Sequence, residues 1–203
     1  MLIGLTGAYC AGKNFIGNLL QKRGFKVLDV DKLGHSAISI SRELLISQFG
    51  KGILARDGSI DRSVLGKIVF SDQEKLKTLE AIIHPIANRM TEDWLIQNKG
   101  ENLVINAALL HKSSAFKDLD CIILVRAHLL TRLLRARKRD KLAISMLLKR
   151  FASQKEFASQ YFGKETDIYT VDNRASFGIF AQRSKRKLEQ QIDAILAREG
   201  MVQ

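Results

Sequence analysis

The stretch GLTGAYCAGKN at residues 4–14 has the residue types and spacing of a loop that binds phosphate. Gly7 and Gly12 enclose four residues and are followed by Lys13, which gives the pattern G-x-x-x-x-G-K. Such a loop holds phosphates with backbone N–H groups, while its lysine reaches the β and γ phosphates of a nucleotide. We therefore predict a nucleotide site formed by eight consecutive residues, Gly7, Ala8, Tyr9, Cys10, Ala11, Gly12, Lys13 and Asn14.

The last position of this loop departs from the usual pattern. A serine or threonine normally follows the lysine, because its hydroxyl holds Mg²⁺, but this chain has Asn14. The asparagine carbonyl is a hard oxygen of the kind that Mg²⁺ accepts, although it projects farther from the backbone than a hydroxyl. We expect Asn14 to reach the ion through a water molecule and the loop to bind ATP.

Two carboxylates lie at the carboxyl end of the second apolar run of the chain, residues 25–30. They are Asp29 and Asp31 in the segment VLDVDKLGH. A carboxylate close to a γ phosphate can accept the proton of an attacking hydroxyl, whereas an aspartate that starts a helix often caps it. We expect Asp29 to cap the following helix, and the spacing alone leaves Asp31 open between the two roles.

Arginines cluster in the segment HLLTRLLRARKRD. Arg132, Arg135 and Arg139 are spaced i, i+3 and i+7 and therefore share one face of a helix. Planar guanidinium groups on one face can close over a triphosphate and stabilise the charge that is transferred. A solvated basic face is the alternative. Next to a phosphate loop we favour a lid, with Arg135 or Arg139 on the nucleotide.

The elements around these residues alternate between strands and helices. The loop follows an apolar run at residues 2–6 and precedes a helical pattern that lasts until Gly24. Further buried strands are predicted at residues 25–30, 103–110, 121–125 and 167–171. We predict an α/β fold, a three-layer parallel sheet with helices on both faces, whose ligands bind beyond the carboxyl ends of the strands.

Helices are predicted before and after the third strand. The only proline, Pro85, follows His84, and the residue before a proline avoids the helical region while proline suits a first turn. We therefore expect one helix to break at His84 and another to begin at Pro85. A helical pair is predicted over residues 128–154, and a last helix over about 179–199.

Composition limits the remaining classes of function. A chain of 203 residues suits one domain, and Cys10 and Cys121 have no spacing that indicates a metal site or a disulfide. No apolar run approaches the roughly 20 residues that cross a membrane, and the start has no basic leader, so we expect a cytoplasmic protein.

The net charge of +12 indicates anionic partners. A basic nucleic-acid-binding protein with a degenerate loop is therefore an alternative. The basic helices contain almost no aromatic residues for base stacking, which argues against it. We expect small-molecule substrates, no membrane and no obligatory protein partner.

Several segments follow one another in a fixed order along the chain: GLTGAYCAGK, VLDVDKLGH, FGKGILARDGSIDRSVLGKIVF, LEAIIHP, the strand with ALL, LLRARKRD with RFASQ, and a late DN. Together they resemble the dephospho-coenzyme A kinases along nearly the whole chain. The resemblance implies that ATP, with Mg²⁺, phosphorylates the ribose 3′-hydroxyl of dephospho-coenzyme A. A kinase for a nucleoside monophosphate or another small alcohol shares the same loop, sheet and lid.

The resemblance also implies an organisation and residue roles. It implies a nucleotide core at about 1–31, 101–130 and 165–203, a helical acceptor-binding insertion at about 32–100, and a lid at about 131–160. Asp31, Lys13 and Arg139 would be catalytic. The residues assigned to the acceptor are Asp31, His35, His84 and Gln154. The chain departs from the family at Asn14 and at AALLHK, where the family has Pro-Leu-Leu-Phe-Glu.

Overall fold

The computed structural model describes residues 1–140, 144–152, 161, 166–173 and 181–201. The chain divides into two compact units. One unit comprises Met1–Leu28 together with Gly100–Gln203, and the other comprises Asp29–Lys99. The assignment of segments to a core, an insertion and a lid stays a prediction.

The first unit contains a five-stranded sheet. Its strands are β1 (Leu2–Gly7), β2 (Lys26–Asp29, whose last residue lies beyond the unit boundary), β3 (Leu103–Asn106), β4 (Cys121–Arg126) and β5 (Asp167–Asp172). The strand order is β2-β3-β1-β4-β5. β1 pairs in parallel with β3 and with β4, and β4 pairs in parallel with β5. The predicted α/β fold with a parallel sheet is confirmed.

One or more helices connect most of these strands along the chain. In chain order they are α1 (Lys13–Gln21), α2 (Val30–Ile40), α3 (Arg42–Phe49), α4 (Arg62–Phe70), α5 (Gln73–Gln97), α6 (Leu129–Asp140), α7 (Ile144–Ala152) and α8 (Ala181–Arg198). The predicted helical pair after β4 is α6 and α7, and the predicted last helix is α8. No helix in the described part of the chain combines the length and apolarity that a membrane span requires.

The core of the first unit lies against one face of the sheet. Ile3 and Leu5 alternate along β1 and pack with Ile16 of α1 and Ile192 of α8, all with no exposed surface. On the opposite face, a side chain at Gly4 would meet carbon atoms of Leu119 at 2.6 Å and Leu110 at 2.7 Å. This glycine lets the segment after β3 pack directly on the strand that leads into the loop.

The third strand is shorter than the sequence predicts. We expected it to extend over residues 103–110, but β3 ends at Asn106, and Leu110 starts a short 3₁₀ turn, Leu110–Lys112. Leu110 is fully buried beside Gly4 and not within the sheet. The prediction was wrong here because an apolar residue gives the same signal in a buried turn as in a buried strand.

The second unit is helical. Leu45, Ile53, Leu65 and Val69 are buried together, with side chains of α5 packed against them. α2 also packs against α5. Asp61 and Asp72 cap α4 and α5, each accepting two backbone N–H bonds from the first turn of its helix.

The predicted helix break at His84 is absent, so that prediction was wrong. α5 continues through Pro85 from Gln73 to Gln97. A proline inside a helix removes one backbone hydrogen bond. Burial on both sides of Pro85 favours continuation, because Ile82 and Ile83 pack on the core of the unit and Ala87 is 8% exposed.

Candidate active site

The phosphate loop leaves the sheet at Gly7 and enters α1 at Lys13. Two of its residues have left-handed backbone angles, Cys10 with φ of 59° and Gly12 with φ of 99°. The N–H of Ala11 donates to the carbonyl of Ala8 at 2.8 Å, which closes a tight turn. The loop therefore curls back just before the first turn of a helix, as a phosphate cradle requires.

Side chains from outside the loop hold the carbonyl groups of Tyr9 and Ala11. Arg132 Nε donates to the Tyr9 carbonyl at 2.8 Å, and Arg135 donates to the Ala11 carbonyl at 2.9 Å. Asn173 Nδ2 donates to the same Ala11 carbonyl at 2.8 Å. No peptide bond in the described part of the chain is cis, so the N–H of each residue points opposite to the carbonyl of the residue before it. The N–H groups of Cys10 and Gly12 consequently point away from these side chains, where a phosphate can accept them.

The structure brings all three predicted arginines to the loop, each in a different way. Arg132 and Arg135 hold loop carbonyls, and Arg135 also donates to Asn173 Oδ1 at 3.1 Å. The Arg139 guanidinium lies 5.0 Å from the ring centroid of Tyr9 and pairs with Asp140 at 2.7 Å. Its side chain is 60% exposed. Arg139 is thus the arginine of the three with the most freedom to contact a ligand.

Tyr9 connects the loop to α6 and α7. Its hydroxyl donates to Asp140, and its ring meets Phe151 edge-on with centroids 5.6 Å apart. Arg132 lies over the other aromatic ring, 4.7 Å from the Phe151 centroid. These contacts join the loop and the helical pair into one packed cluster.

Burial changes the electrostatics of the two arginines beneath the loop. Removal from water lowers the pKa of Arg132 and of Arg135, and the nearby Cys10 sulfur raises it. A guanidinium remains protonated in proteins even so. The loop therefore rests on two fixed positive charges, which favours an anionic ligand.

Gly12→Ala is expected to weaken ATP binding by the loop. A methyl group at this position would lie 2.1 Å from Asn173 Nδ2, and the backbone has the left-handed φ of 99°. The methyl group would displace Asn173, which holds the Ala11 carbonyl, and the left-handed φ would strain the alanine backbone. We expect ATP affinity to fall by at least about tenfold, because even about 1.4 kcal/mol of strain gives that factor. Gly24→Ala, where φ is 87° but no atom lies within 4 Å, is the matched control, and equal ATP affinities of the two variants would contradict this account.

Asn14, the second residue of α1, is exposed and contacts a residue that sequence reasoning missed. Asn106 ends β3, and its Nδ2 donates to Asn14 Oδ1 at 3.1 Å. Asn106 is 3% exposed, and no donor within the described ranges reaches its buried Oδ1. A polar residue that ends the otherwise apolar run LVIN was the only sequence signal for it.

The residues at this position fit a magnesium ion. Both Asn14 and Asn106 carry amide oxygens, the hard donors that Mg²⁺ accepts, and the unpaired Asn106 Oδ1 is an acceptor without a donor. Among the described residues no three His, Cys, Asp or Glu side chains form a metal site. Mg²⁺ at sites of this kind keeps several waters and binds substrate phosphates as well as one or two protein groups.

The candidate carboxylates belong to the second unit, at the start of α2. Asp29 occupies the N-cap position but makes no capping bond with its side chain, so the expectation that it caps this helix was wrong. Its buried Oδ1 has no donor within the described part of the chain. Asp31 lies in the first turn of α2 and is exposed.

The predicted acceptor residues have three different outcomes. His35 lies four residues after Asp31 on the same face of α2. His84 is half-buried on α5, the helix against which α2 packs. Gln154 lies outside the described residues. The acceptor-binding roles of His35, His84 and Gln154 stay predictions.

A second polar group was also missed by sequence reasoning. Tyr161 is fully buried, and its hydroxyl lies 3.5 Å from Thr6 Oγ1 and 3.4 Å from His111 Nδ1. Burial raises the pKa of the tyrosine hydroxyl, and its hydrogen bonds lower it. His111 belongs to AALLHK, the segment that differs from the pattern of the family that the sequence resembles. In this chain that segment packs with a polar contact between His111 and Tyr161.

Comparison with known proteins identifies the family. The family model for dephospho-CoA kinase (CoaE) matches residues 1–176. The dephospho-CoA kinase of Treponema denticola is 35% identical over 202 residues, which span 95% of this chain and 89% of the relative. The chain belongs to the dephospho-CoA kinase family. It is therefore a kinase, and the nucleotide of its loop is ATP.

Solved structures of other proteins share the fold of this chain. The crystal structure of TT1252 from Thermus thermophilus has a TM-score of 0.79 and 29% identity, and the match covers 98% of this chain and 97% of that one. A dephospho-CoA kinase from Campylobacter jejuni has a TM-score of 0.59 at 23% identity over 94% and 96% of the two chains, a likeness in fold. The chain thus has the fold of the phosphate-loop kinases.

Proposed function

We propose that the protein transfers the γ-phosphoryl group of ATP to the ribose 3′-hydroxyl of dephospho-coenzyme A, the last step of coenzyme A synthesis. The single observation that carries the reaction class is the loop, whose carbonyls are held by Arg132, Arg135 and Asn173 so that its N–H groups face a phosphate. The acceptor follows from the family to which residues 1–176 belong.

The proposed reaction needs little covalent chemistry from the protein. The 3′-oxygen forms a bond to the γ phosphorus as the bond between that phosphorus and the β–γ bridging oxygen breaks, and ADP leaves. The proton of the hydroxyl goes to the Asp31 carboxylate. Lys13 and Arg139 stabilise the charge on the phosphates, and positioning supplies much of the rate.

We also propose Mg²⁺ as the cofactor, next to Asn14. Asn14 would hold the ion through a water molecule, and Asn106 donates a hydrogen bond to the Asn14 side chain. When bound, the ion neutralises charge on the β and γ phosphates. The remaining proposed roles belong to this chain's residues: backbone N–H groups of residues 7–14 hold the phosphates, and Arg135 or Arg139 contacts the nucleotide.

The test is a single incubation with the protein, ATP, Mg²⁺ and dephospho-coenzyme A. Coenzyme A and ADP should form in equal amounts, with little product when AMP replaces the acceptor. Lys13→Ala is the matched control, since it removes the charge that reaches the β and γ phosphates. Phosphorylation of AMP in preference to dephospho-coenzyme A would instead assign the protein to the nucleoside monophosphate kinases.

Asn14→Thr is expected to lower the magnesium concentration that gives half-maximal turnover. A threonine hydroxyl lies closer to the backbone and suits the octahedral geometry of the ion better than an amide. ATP affinity should stay within about threefold of wild type, because the backbone N–H groups and Lys13 make the phosphate contacts. A magnesium titration of turnover measures this effect, with the exposed Asn18→Thr on the same helix as control. A requirement for as much magnesium as wild type would refute it.

The partners we propose are ATP and dephospho-coenzyme A, in the cytoplasm, without nucleic acid, membrane or an obligatory protein partner. Arg132 and Arg135 support this view, because they are partly buried and engaged by loop carbonyls. A nucleic-acid-binding face would leave such side chains solvated. Neither cysteine forms a disulfide, which suits a reducing compartment.

A further inference from the structure

The contact between Asn14 and Asn106 lies where two elements of the sheet meet the loop. β1 leads into the loop, and β3 is its parallel neighbour, with Leu5 opposite Asn106 in the register. The carboxyl ends of both strands therefore lie at one edge of the sheet. Asn106 is the last residue of β3, and its amide reaches Asn14 at 3.1 Å.

This position has a known chemical task in phosphate-loop enzymes. The ion there is held by the loop Ser or Thr together with an aspartate from a second motif. Asn14 stands at the position of the hydroxyl. Asn106 ends the neighbouring strand β3 and is hydrogen-bonded to Asn14. The two side chains that meet at this strand end are thus amides, which are hard oxygen donors without a charge.

The pair is more than a packing contact. If the two asparagines served only as hydrogen-bond partners of each other, we would expect no buried oxygen without a donor, because such an oxygen costs folding free energy. Asn106 Oδ1 is nevertheless buried, and no donor in the described part of the chain reaches it. Because Asn106 is only 3% exposed, bulk water does not donate to its Oδ1 either. The geometry leaves an acceptor ready next to the phosphate loop.

Resting on the proposed phosphoryl transfer, we propose that Asn106 is a positioning residue that holds the Asn14 amide, and that the two form an uncharged magnesium position. A carboxylate attracts the ion by itself, whereas two neutral amides do not. The ion therefore binds together with the phosphates of the nucleotide and does not bind the protein alone. This arrangement makes the nucleotide, and not these two side chains, the source of the charged ligands of the ion.

The test uses Mn²⁺ as a paramagnetic stand-in for Mg²⁺ and measures its binding by electron paramagnetic resonance. Wild type, Asn106→Asp and the control Asn18→Asp are titrated with Mn²⁺, with and without a non-hydrolysable ATP analogue. Wild type should bind Mn²⁺ only with the analogue. Asn106→Asp should bind it at least about tenfold more tightly, the scale by which partners of metal ligands change affinity. Asn18→Asp adds the same charge on an exposed part of α1 and should match wild type.

Asn14→Asp is the second variant, used because a carboxylate at the buried position 106 can unfold the protein. Asn14 is exposed, so a charge there is tolerated, and the same gain in Mn²⁺ affinity is expected. Binding of Mn²⁺ by wild type without nucleotide, or unchanged affinity in both folded variants, would overturn the proposal. Failure of the proposed function is distinguishable, because the incubation with ATP, Mg²⁺ and dephospho-coenzyme A would then yield no coenzyme A, whatever the Mn²⁺ titrations show.

Discussion

Arg139→Ala is expected to lower turnover by about three orders of magnitude, while ATP affinity falls by less. An arginine that stabilises the transferring phosphoryl group contributes to the rate on this scale. Arg139 is the one of the three cluster arginines whose side chain is mostly exposed, and among the described residues its side chain contacts Asp140 and the Tyr9 ring. Turnover and nucleotide binding, measured separately, give the split between the two effects.

The neighbouring Arg137 supplies the control for this experiment. It is exposed on α6 and points away from the shared face, so Arg137→Ala removes the same charge without the contact to the loop. Arg137→Ala should retain turnover close to wild type. If both variants lost activity equally, general basicity would explain the effect. If Arg139→Ala kept full turnover, its catalytic role would be excluded.

Asp31→Asn is expected to lower turnover by at least about a hundredfold, the scale of losing a general base. The asparagine has nearly the same shape but cannot accept the proton of the 3′-hydroxyl. ATP binding should survive, because the backbone N–H groups of the loop and Lys13 make the phosphate contacts and Asp31 is an exposed residue of α2. Steady-state turnover with dephospho-coenzyme A and equilibrium binding of ATP measure the two quantities.

Asp29→Asn is the matched control for Asp31→Asn. Asp29 is two residues away at the N-cap of the same helix, where it makes no side-chain capping bond. We expect a much smaller loss of turnover from this variant. Near-normal turnover of Asp31→Asn together with inactive Asp29→Asn would assign the base to Asp29.

The nucleotide side of the site was predictable because its signals are local. Gly12 and Lys13 adjoin each other between an apolar run and a helical pattern, and the structure places them at the end of β1 and the start of α1. The spacing of Arg132, Arg135 and Arg139 predicted one shared face, and all three reach the loop or its tyrosine. A periodic pattern within one helix needs no knowledge of the rest of the fold.

Contacts between distant segments could not be predicted in this way. Asn173 and Asn106 each touch the loop from another strand end, and nothing in their own neighbourhood says which residue they meet. Local rules also failed where packing decided the outcome. From Pro85 we predicted a helix break, but α5 continues through it with Ile82 and Ile83 packed on the core of the second unit. From the apolar Leu110 we predicted a longer third strand, but β3 ends at Asn106.

The hold of Asn173 and Arg135 on Ala11 has a consequence for the synthesis of the protein on the ribosome. The loop is synthesised before the side chains that fix its Ala11 carbonyl, which come 162 and 124 residues later in the chain. A nascent chain that has not yet released β5 and Asn173 has the loop sequence without these hydrogen bonds. We therefore expect nascent chains that lack β5 to bind ATP more weakly than the folded protein.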